Sequence, residues 1–366
     1  MTDFLRTELR HSPLLWLLAA VPVLFWLESA MPEAHTVLFL VSVLAIVPLA
    51  SLLSRATESV AARTGDAVGG LLNATLGNLT ELVIALTALK AGMFDLVKAS
   101  VAGAIVTNSL FMLGMALLLG GLRHHSQEYN RATARLQVGM LFMAAIAMLV
   151  PSVIAANDRP GASALVSELS VGLSVLLLAG YVLGLLFSLR THRDFFASAT
   201  ASGHDEPVWP IGPALLLLGA VTVTVALVSE IFVESVQQAA QTFGMTPAFV
   251  GFIVVSLVGA AAEMTAAFAA ARKGRLDLSI GIALGSSAQI ALFVAPVLVL
   301  ASYFIAPVPM TLHFWPGAVA TILIATFAVS FVATSGRSAW FTGVQLLVIY
   351  LTFAMTLYLI PPLVAD

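Results

Sequence analysis

Cysteine is absent from the 366 residues, which excludes disulfides, thiolate metal ligands and cysteine nucleophiles. Charge is scarce too. Asp, Glu, Lys and Arg make up only 10% of the chain and the net charge is −3, so neither a nucleic-acid partner nor a polyionic one is expected. A G-x-S-x-G elbow and an H-E-x-x-H pair are also missing, which argues against an intramembrane hydrolase. What fills the chain is apolar: 60% of residues are hydrophobic, far from soluble domains and in the direction of polytopic membrane proteins.

Apolar windows between charged or Pro/Gly-rich breaks predict eleven transmembrane helices, over about 14–30, 36–53, 68–90, 97–121, 136–154, 167–189, 211–235, 247–270, 278–301, 314–333 and 340–361. The first follows Arg6 and Arg10 in the manner of a signal peptide and is read as a retained helix. Threaded as alternating crossings from a cytoplasmic N-terminus, 13 of the 16 Lys and Arg residues fall inside. Only Lys90, Lys98 and Arg159 fall outside, a strong positive-inside bias. The expected class is all-α, lodged in the lipid bilayer of a bacterial-type inner membrane.

Two acids stand in mid-span. A carboxylate at bilayer mid-depth costs roughly 3 kcal/mol even on the lenient insertion scale, so Glu81 and Glu263 call for a use. Sliding the chain by 182 positions superposes them and also pairs Gly77 with Gly259, Gly92 with Gly274 and Gly103 with Gly285. The two acidic helices are five spans apart and therefore cross in opposite directions, the mark of an inverted-topology repeat with substrate near the midplane. The expected organisation is an N-terminal helix at 1–33, a five-helix repeat at 34–190, a polar cytoplasmic linker at 191–210 and a second repeat at 211–366.

Around the first acid, GGLLNATLGNLTELVIALTALKAG brings Asn73, Thr75, Asn78 and Thr80 into the crossing of Glu81. Their oxygens are hard ligands suited to alkali and alkaline-earth cations, and Asn78 lies three positions before Glu81, on the same helix side. Near the second acid, Gly259, Ala260, Ala261 and Ala262 leave room for a close neighbour. Ser286 and Gln289 in the ninth span, with Gly103, Thr107 and Asn108 in the fourth, complete one polar centre from four helices. Glu58 and Glu230, just before the acidic helices, are candidates for an access route. Asp95 and Asp277 are expected as helix caps.

These segments resemble the two signature regions of the calcium/proton exchangers of the calcium:cation antiporter superfamily. The G-N-x-x-E core stands as Gly77, Asn78 and Glu81; the second signature, usually G-N-A-A-E-H, departs from the pattern at Ala260 and Met264. The resemblance implies a non-enzymatic Ca2+/H+ antiporter with no cofactor, Ca2+ and H+ being the transported substrates. It implies that Glu81 and Glu263 bind the cation with help from Asn78, that Asn108, Ser286 and Gln289 match polar positions of the flanking helices, and that Glu58 and Glu230 match acids on the cation path. Ala260 and Met264 leave a sodium-, potassium- or manganese-coupled exchanger as the alternative. A cation channel, or glutamates that serve packing alone, are the remaining ones.

Overall fold

A computed structural model of the protein describes residues 13–64, 66–156, 161–192 and 209–359. The expected linker residues Asp194, His204, Asp205, Glu206 and Pro207, and Arg6, Arg10, Arg159 and Arg193, lie outside them. After a 3-10 turn at Pro13–Ala19, the helices are α1 (Ala20–Ala30), α2 (His35–Arg63), α3 (Asp66–Leu76), α4 (Leu79–Lys90), α5 (Phe94–His124), α6 (Arg131–Ala155) and α7 (Ala162–Thr191). Then follow α8 (Ile211–Thr242), α9 (Pro247–Gly259), α10 (Ala261–Arg272), α11 (Leu276–Ile305), α12 (Pro316–Ser335) and α13 (Trp340–Leu359). Eight of these are long and apolar enough to cross a membrane, or ten if each of the bent pairs α3–α4 and α9–α10 is one span. The first expected span is the shorter apolar stretch Leu14–Ala30.

Three departures from the expected helices have physical causes. The span expected at 36–53 runs on to Arg63, because beyond the apolar run no Gly or Pro stops it, and Glu58 therefore sits on the helix rather than after it. The spans expected at 68–90 and 247–270 are each broken at corresponding places, by 43° at Gly77-Asn78 and by 58° at Ala260. Neither Asp95 nor Asp277 caps a helix. Met93 and Arg275 hold the cap positions of α5 and α11, the acids lie inside the first turn, and Asp277 instead accepts the backbone N–H of Asn130.

The offset of 182 recurs in the backbone. Gly92 and Gly274, which end α4 and α10, both have left-handed φ, +74° and +76°, a conformation glycine alone adopts freely. Helices α5 and α11 each contain a π-helical turn, at Thr107–Met112 and Ile290–Val294, a feature often found at functional sites.

Contacts sort the helix ends into two groups. At one, β1 (Ser126–Glu128) pairs antiparallel with β2 (Arg337–Ala339), Arg337 meets Glu128 at 2.6 Å, Arg131 donates to the Ser335 carbonyl and the His124 ring reaches the Arg272 carbonyl at 3.1 Å. This is the arginine-rich end. At the far end Lys90 pairs with Glu230, and a strap at 306–315 crosses the helices with Met310, Leu312 and Phe314 buried. The amides of those three residues donate to Ser302, Ser170 and Ser152. Each hydroxyl in turn donates to a carbonyl of its own helix, so buried strap amides go unsatisfied nowhere along this alternation.

Candidate functional site

The breaks in α3–α4 and α9–α10 put two helix C-termini and two helix N-termini at the centre of the bundle. Glu81 and Glu263 each occupy the first turn of the second half-helix, where the helix dipole and free N–H groups favour negative charge. Broken helices at mid-depth are tolerated only where their backbone groups are buried in protein or line a cavity. Here the Ala74 carbonyl, at the end of α3, accepts the Tyr181 hydroxyl of α7 at 2.7 Å, and the Asn73 carbonyl accepts Gly77 N–H at 2.9 Å.

The two acids share one locality. A Cβ added to Gly259, four residues before Glu263, would fall 2.9 Å from Glu81 Cγ and 3.3 Å from its Oε1, so α9 touches the first carboxyl directly. Glu81, Ser286 and Glu58 are the groups near enough to act on Glu263. Both acids are partly exposed overall, yet Glu81 Oε1 and Glu263 Oε2 are shut off from solvent with no hydrogen-bond partner. A buried oxygen left unpaired costs about 1–3 kcal/mol, so each is a place where a bound cation or a proton would lower the energy.

The neutral groups are joined across both halves of the chain. Asn108 Nδ2 donates to Ser286 Oγ at 2.9 Å, Ser286 donates to Asn78 Oδ1 at 2.7 Å, and Asn78 Nδ2 donates to Gln289 Oε1 at 2.6 Å. Asn78, Asn108 and Ser286 are 2%, 0% and 4% exposed, so this chain is set in the interior. Its orientation leaves Asn108 Oδ1 buried without a partner, a third unpaired oxygen. Ser287 also donates to the carbonyl of Ile105 at 3.3 Å, residues that are 182 positions apart. All six residues expected at the centre are thus brought together. Among the described residues no three His, Asp or Glu side chains form a metal cage, and the centre holds two carboxylates among neutral oxygens.

Glu58 and Glu230 part company. Both are exposed. Glu58, bonded by Ser54 at 3.1 Å, lies on the C-terminal part of α2, whereas Glu230 faces Lys90 at 3.7 Å at the far end.

Exposure around the centre is uneven. Along the bent pair α3–α4, Asn73, Gly77 and Glu81 share an exposed or partly exposed face, but Ile84, Ala85 and Ala88, which continue it toward the far end, are buried. Helix α11 repeats this: Leu278, Gly281, Ile282, Gly285 and Gln289 are partly exposed, while Leu292 and Pro296 beyond are buried. Beside Glu263, Ser256, Gly259 and Ala260 seal the far side. Among the described residues these faces are the more open on the side toward the arginine-rich end.

Residues not anticipated from sequence are Tyr181, which holds the broken end of α3, and Gln137 of α6. Gln137 donates to the Gly281 carbonyl at 3.2 Å and leaves its own Oε1 buried without a partner. A lone polar group within an apolar span was the available signal for both.

Comparison with known proteins adds the following. The profile of the family described as "Sodium/calcium exchanger protein" matches residues 34–190 and again 213–359. A Ca(2+)/H(+) antiporter ChaA of Bacillus subtilis is 38% identical over 348 residues, covering 94% of this chain and 98% of its own length. A Ca(2+)/H(+) antiporter of Aphanothece halophytica is 37% identical over 338 residues, with 88% and 90% covered. The solved structure of native YfkE superposes with a TM-score of 0.81 at 35% identity, covering 94% of this chain and 98% of that one.

Proposed function

The chain belongs to the sodium/calcium exchanger protein family, and from that premise we propose that it is an integral membrane antiporter exchanging Ca2+ for H+, with Glu81 and Glu263 holding either the cation or protons. Relatives similar over nearly their whole length are named Ca(2+)/H(+) antiporters, which supports the substrate pair. The observation that carries the assignment to these two acids is their meeting at the centre with one buried, unpartnered oxygen each.

The physics of exchange follows. Two ionised carboxylates in a low-dielectric centre repel one another and lack the hydration that would offset their charge. One divalent cation brings the pair to net zero, and so do two protons. The two ligands exclude each other because they use the same oxygens, and this competition is the coupling step. Asn78, Asn108, Ser286 and Gln289 supply neutral oxygens, which suit a hard cation that must give up water. Glu58 and Glu230 lie at opposite ends of this centre and serve its two approaches.

In this reading 34–190 and 211–366 are two inverted five-helix repeats, after an N-terminal helix at 1–33 and with 191–210 as linker. The paired helix breaks, the paired π-helical turns and the family profile matching twice support that division. The clustering of arginines at one end supports a cytoplasmic arginine-rich face, with the N-terminus on that side, in a plasma or inner membrane. Rocking of the repeats would then present the centre to each side in turn. Serving packing alone would be a poor use of the glutamates, because packing roles leave polar groups bonded to neighbours.

The test is transport in everted membrane vesicles loaded by a proton gradient. Glu81→Gln and Glu263→Gln are each expected to abolish calcium uptake while the protein still folds and inserts. Uptake at the wild-type rate by either variant would refute the assignment.

A further inference from the structure

Asp277, Gly281, Gly285 and Gln289, at intervals of four along α11, form one row that runs from the arginine-rich end to the centre. Residues four apart on a helix share a face, and all four are partly exposed. The row has oxygens at its ends, the Asp277 carboxyl at the mouth and the Gln289 amide joined to Asn78, and two glycines between. In the other half of the chain the counterparts of its last three members, Ala99, Gly103 and Thr107, are buried.

Gln137 of α6 reaches across the glycine gap. Its Nε2 donates to the Gly281 carbonyl at 3.2 Å, and a Cβ built on Gly285 would lie 3.1 Å from the same nitrogen. Held this way, the amide turns Oε1 away from the carbonyl, where it is buried without a partner. One turn earlier on the same face of α6, the Thr133 hydroxyl oxygen is buried without a partner too. Unpaired polar atoms in the interior are costly and call for an explanation. The last torsion of a glutamine is soft, so the amide can turn over, and Nε2 then has the Thr133 oxygen as an acceptor one turn away. Turned over, Oε1 takes the place of Nε2, 3.2 Å from the Gly281 carbonyl oxygen. Two oxygens so close repel unless a cation lies between them. Backbone and glutamine carbonyls are calcium ligands at about 2.3–2.6 Å, which with that separation sets an angle of about 76–88° at the ion, ordinary for neighbouring ligands of a pentagonal bipyramid. Nothing lies within 4 Å of a Cβ built on Gly281, so the ion's remaining waters have room there, with or without a methyl group.

We propose that the Gly281 carbonyl and the Gln137 amide form an entry site for the divalent cation on the arginine-rich side of the centre, with Asp277 one turn before it drawing the ion in. The proposal deepens the exchange reading above and rests on it. Gly281 precedes Gln289 by about 12 Å of helix, so this site is separate from the central one. There the ion exchanges two of its waters for two protein oxygens before it reaches the carboxylates. The amide is a ligand with two positions: it donates to the carbonyl when the ion is absent and ligates beside it when the ion is present. Two neutral oxygens hold an ion weakly, which suits a place that must release what it takes up.

The test is calcium half-saturation of exchange measured at each face, everted vesicles presenting the arginine-rich end and right-side-out vesicles the far one. Gln137→Met keeps the length of the side chain and removes its oxygen; it is expected to raise half-saturation about threefold or more in everted vesicles and to leave it unchanged in right-side-out ones. Gln137→Glu keeps an oxygen and adds charge, and is expected to lower half-saturation in everted vesicles. A folded Gln137→Met protein with wild-type half-saturation there overturns the proposal. So does an equal rise at both faces, the mark of a packing role between α6 and α11, or a rise in Gln137→Glu that matches Gln137→Met. Should Gln137→Met fail to fold, Gly285→Ala decides: its methyl group pushes the amide off the Gly281 carbonyl, and the absence of the same one-sided rise overturns the proposal. The site is also read without transport. In protein carrying Glu81→Gln and Glu263→Gln, terbium, a luminescent stand-in for calcium, is expected to bind weakly and to lose that binding on Gln137→Met. Terbium binding that Gln137→Met leaves intact overturns the entry site alone, whereas wild-type protein that fails to exchange calcium while this terbium result holds counts against the exchange reading alone.

Discussion

Replacing Gly259 by alanine places one methyl group between the two halves of the centre, 2.9 Å from Glu81 Cγ and 3.3 Å from its carboxyl carbon. Carbon atoms rest at about 3.5–4.0 Å, so Glu81 Cγ must retreat by roughly 0.6–1.1 Å and carries its carboxyl with it. Calcium accepts oxygens over a window of only about 0.3 Å, between 2.3 and 2.6 Å. A retreat larger than that window takes Glu81 out of simultaneous reach with Glu263, and we expect apparent calcium affinity to fall at least tenfold, about 1.4 kcal/mol. Stability should change less, by below about 1 kcal/mol, because the carboxyl borders an open cleft and can yield without the strain of an overpacked core. The assay is proton release from reconstituted vesicles as calcium is titrated, beside a thermal melt of the same preparation. Gly281→Ala is the control, since a Cβ there meets nothing within 4 Å. A folded Gly259→Ala protein with wild-type half-saturation would show that the Glu81 carboxyl is not held in place by α9, and the argument from proximity would fail.

The other predictions concern the far end. Ser170→Ala leaves the buried amide of Leu312 without its acceptor, at a cost of about 1–3 kcal/mol. It should lower the melting temperature while leaving calcium half-saturation unchanged. In the strap, burial and then the neighbouring Lys98 push the His313 imidazole below its usual range, so the unfolded chain binds a proton there more readily than the folded one. Stability from neutral His313 is present above the ordinary value of 6.5 and is lost as pH falls below it. Melts run from about pH 7.5 to about pH 5.5 should show a smaller acid-induced decline in His313→Gln than in wild type. An equal decline in both would remove His313 from the account.

Much of the centre was legible from sequence because its signals are local. A carboxylate inside an apolar run is costly wherever the run packs, so Glu81 and Glu263 announce themselves, and Asn78 follows by lying one turn away. Ser286, Gln289 and Asn108 stood out as polar residues within spans. Hydropathy averages transfer energy along a helix, however, and says nothing about whether that helix is continuous; the break at Ala260 has no sequence mark comparable to Gly77-Asn78. The extension of α2 past its apolar run escaped for the related reason that a helix may leave the membrane without ending. Asp277 was misread as a cap because the Asn130 amide that it accepts lies 147 positions away. The roles of the strap serines and of Tyr181 escaped for the same cause: their partners are set by packing.

By itself, then, the order of residues dictated a bundle of apolar helices with an acidic centre repeated at a fixed interval, since burial of apolar runs and the expense of lone carboxylates are properties of single segments. Only the tertiary structure decided that the two acids share one locality and that the amides form one directed chain between the halves. Those features are contacts between residues some 180 to 210 positions apart. Contacts between residues this far apart are not written in any one segment, so composition leaves them open and packing resolves them.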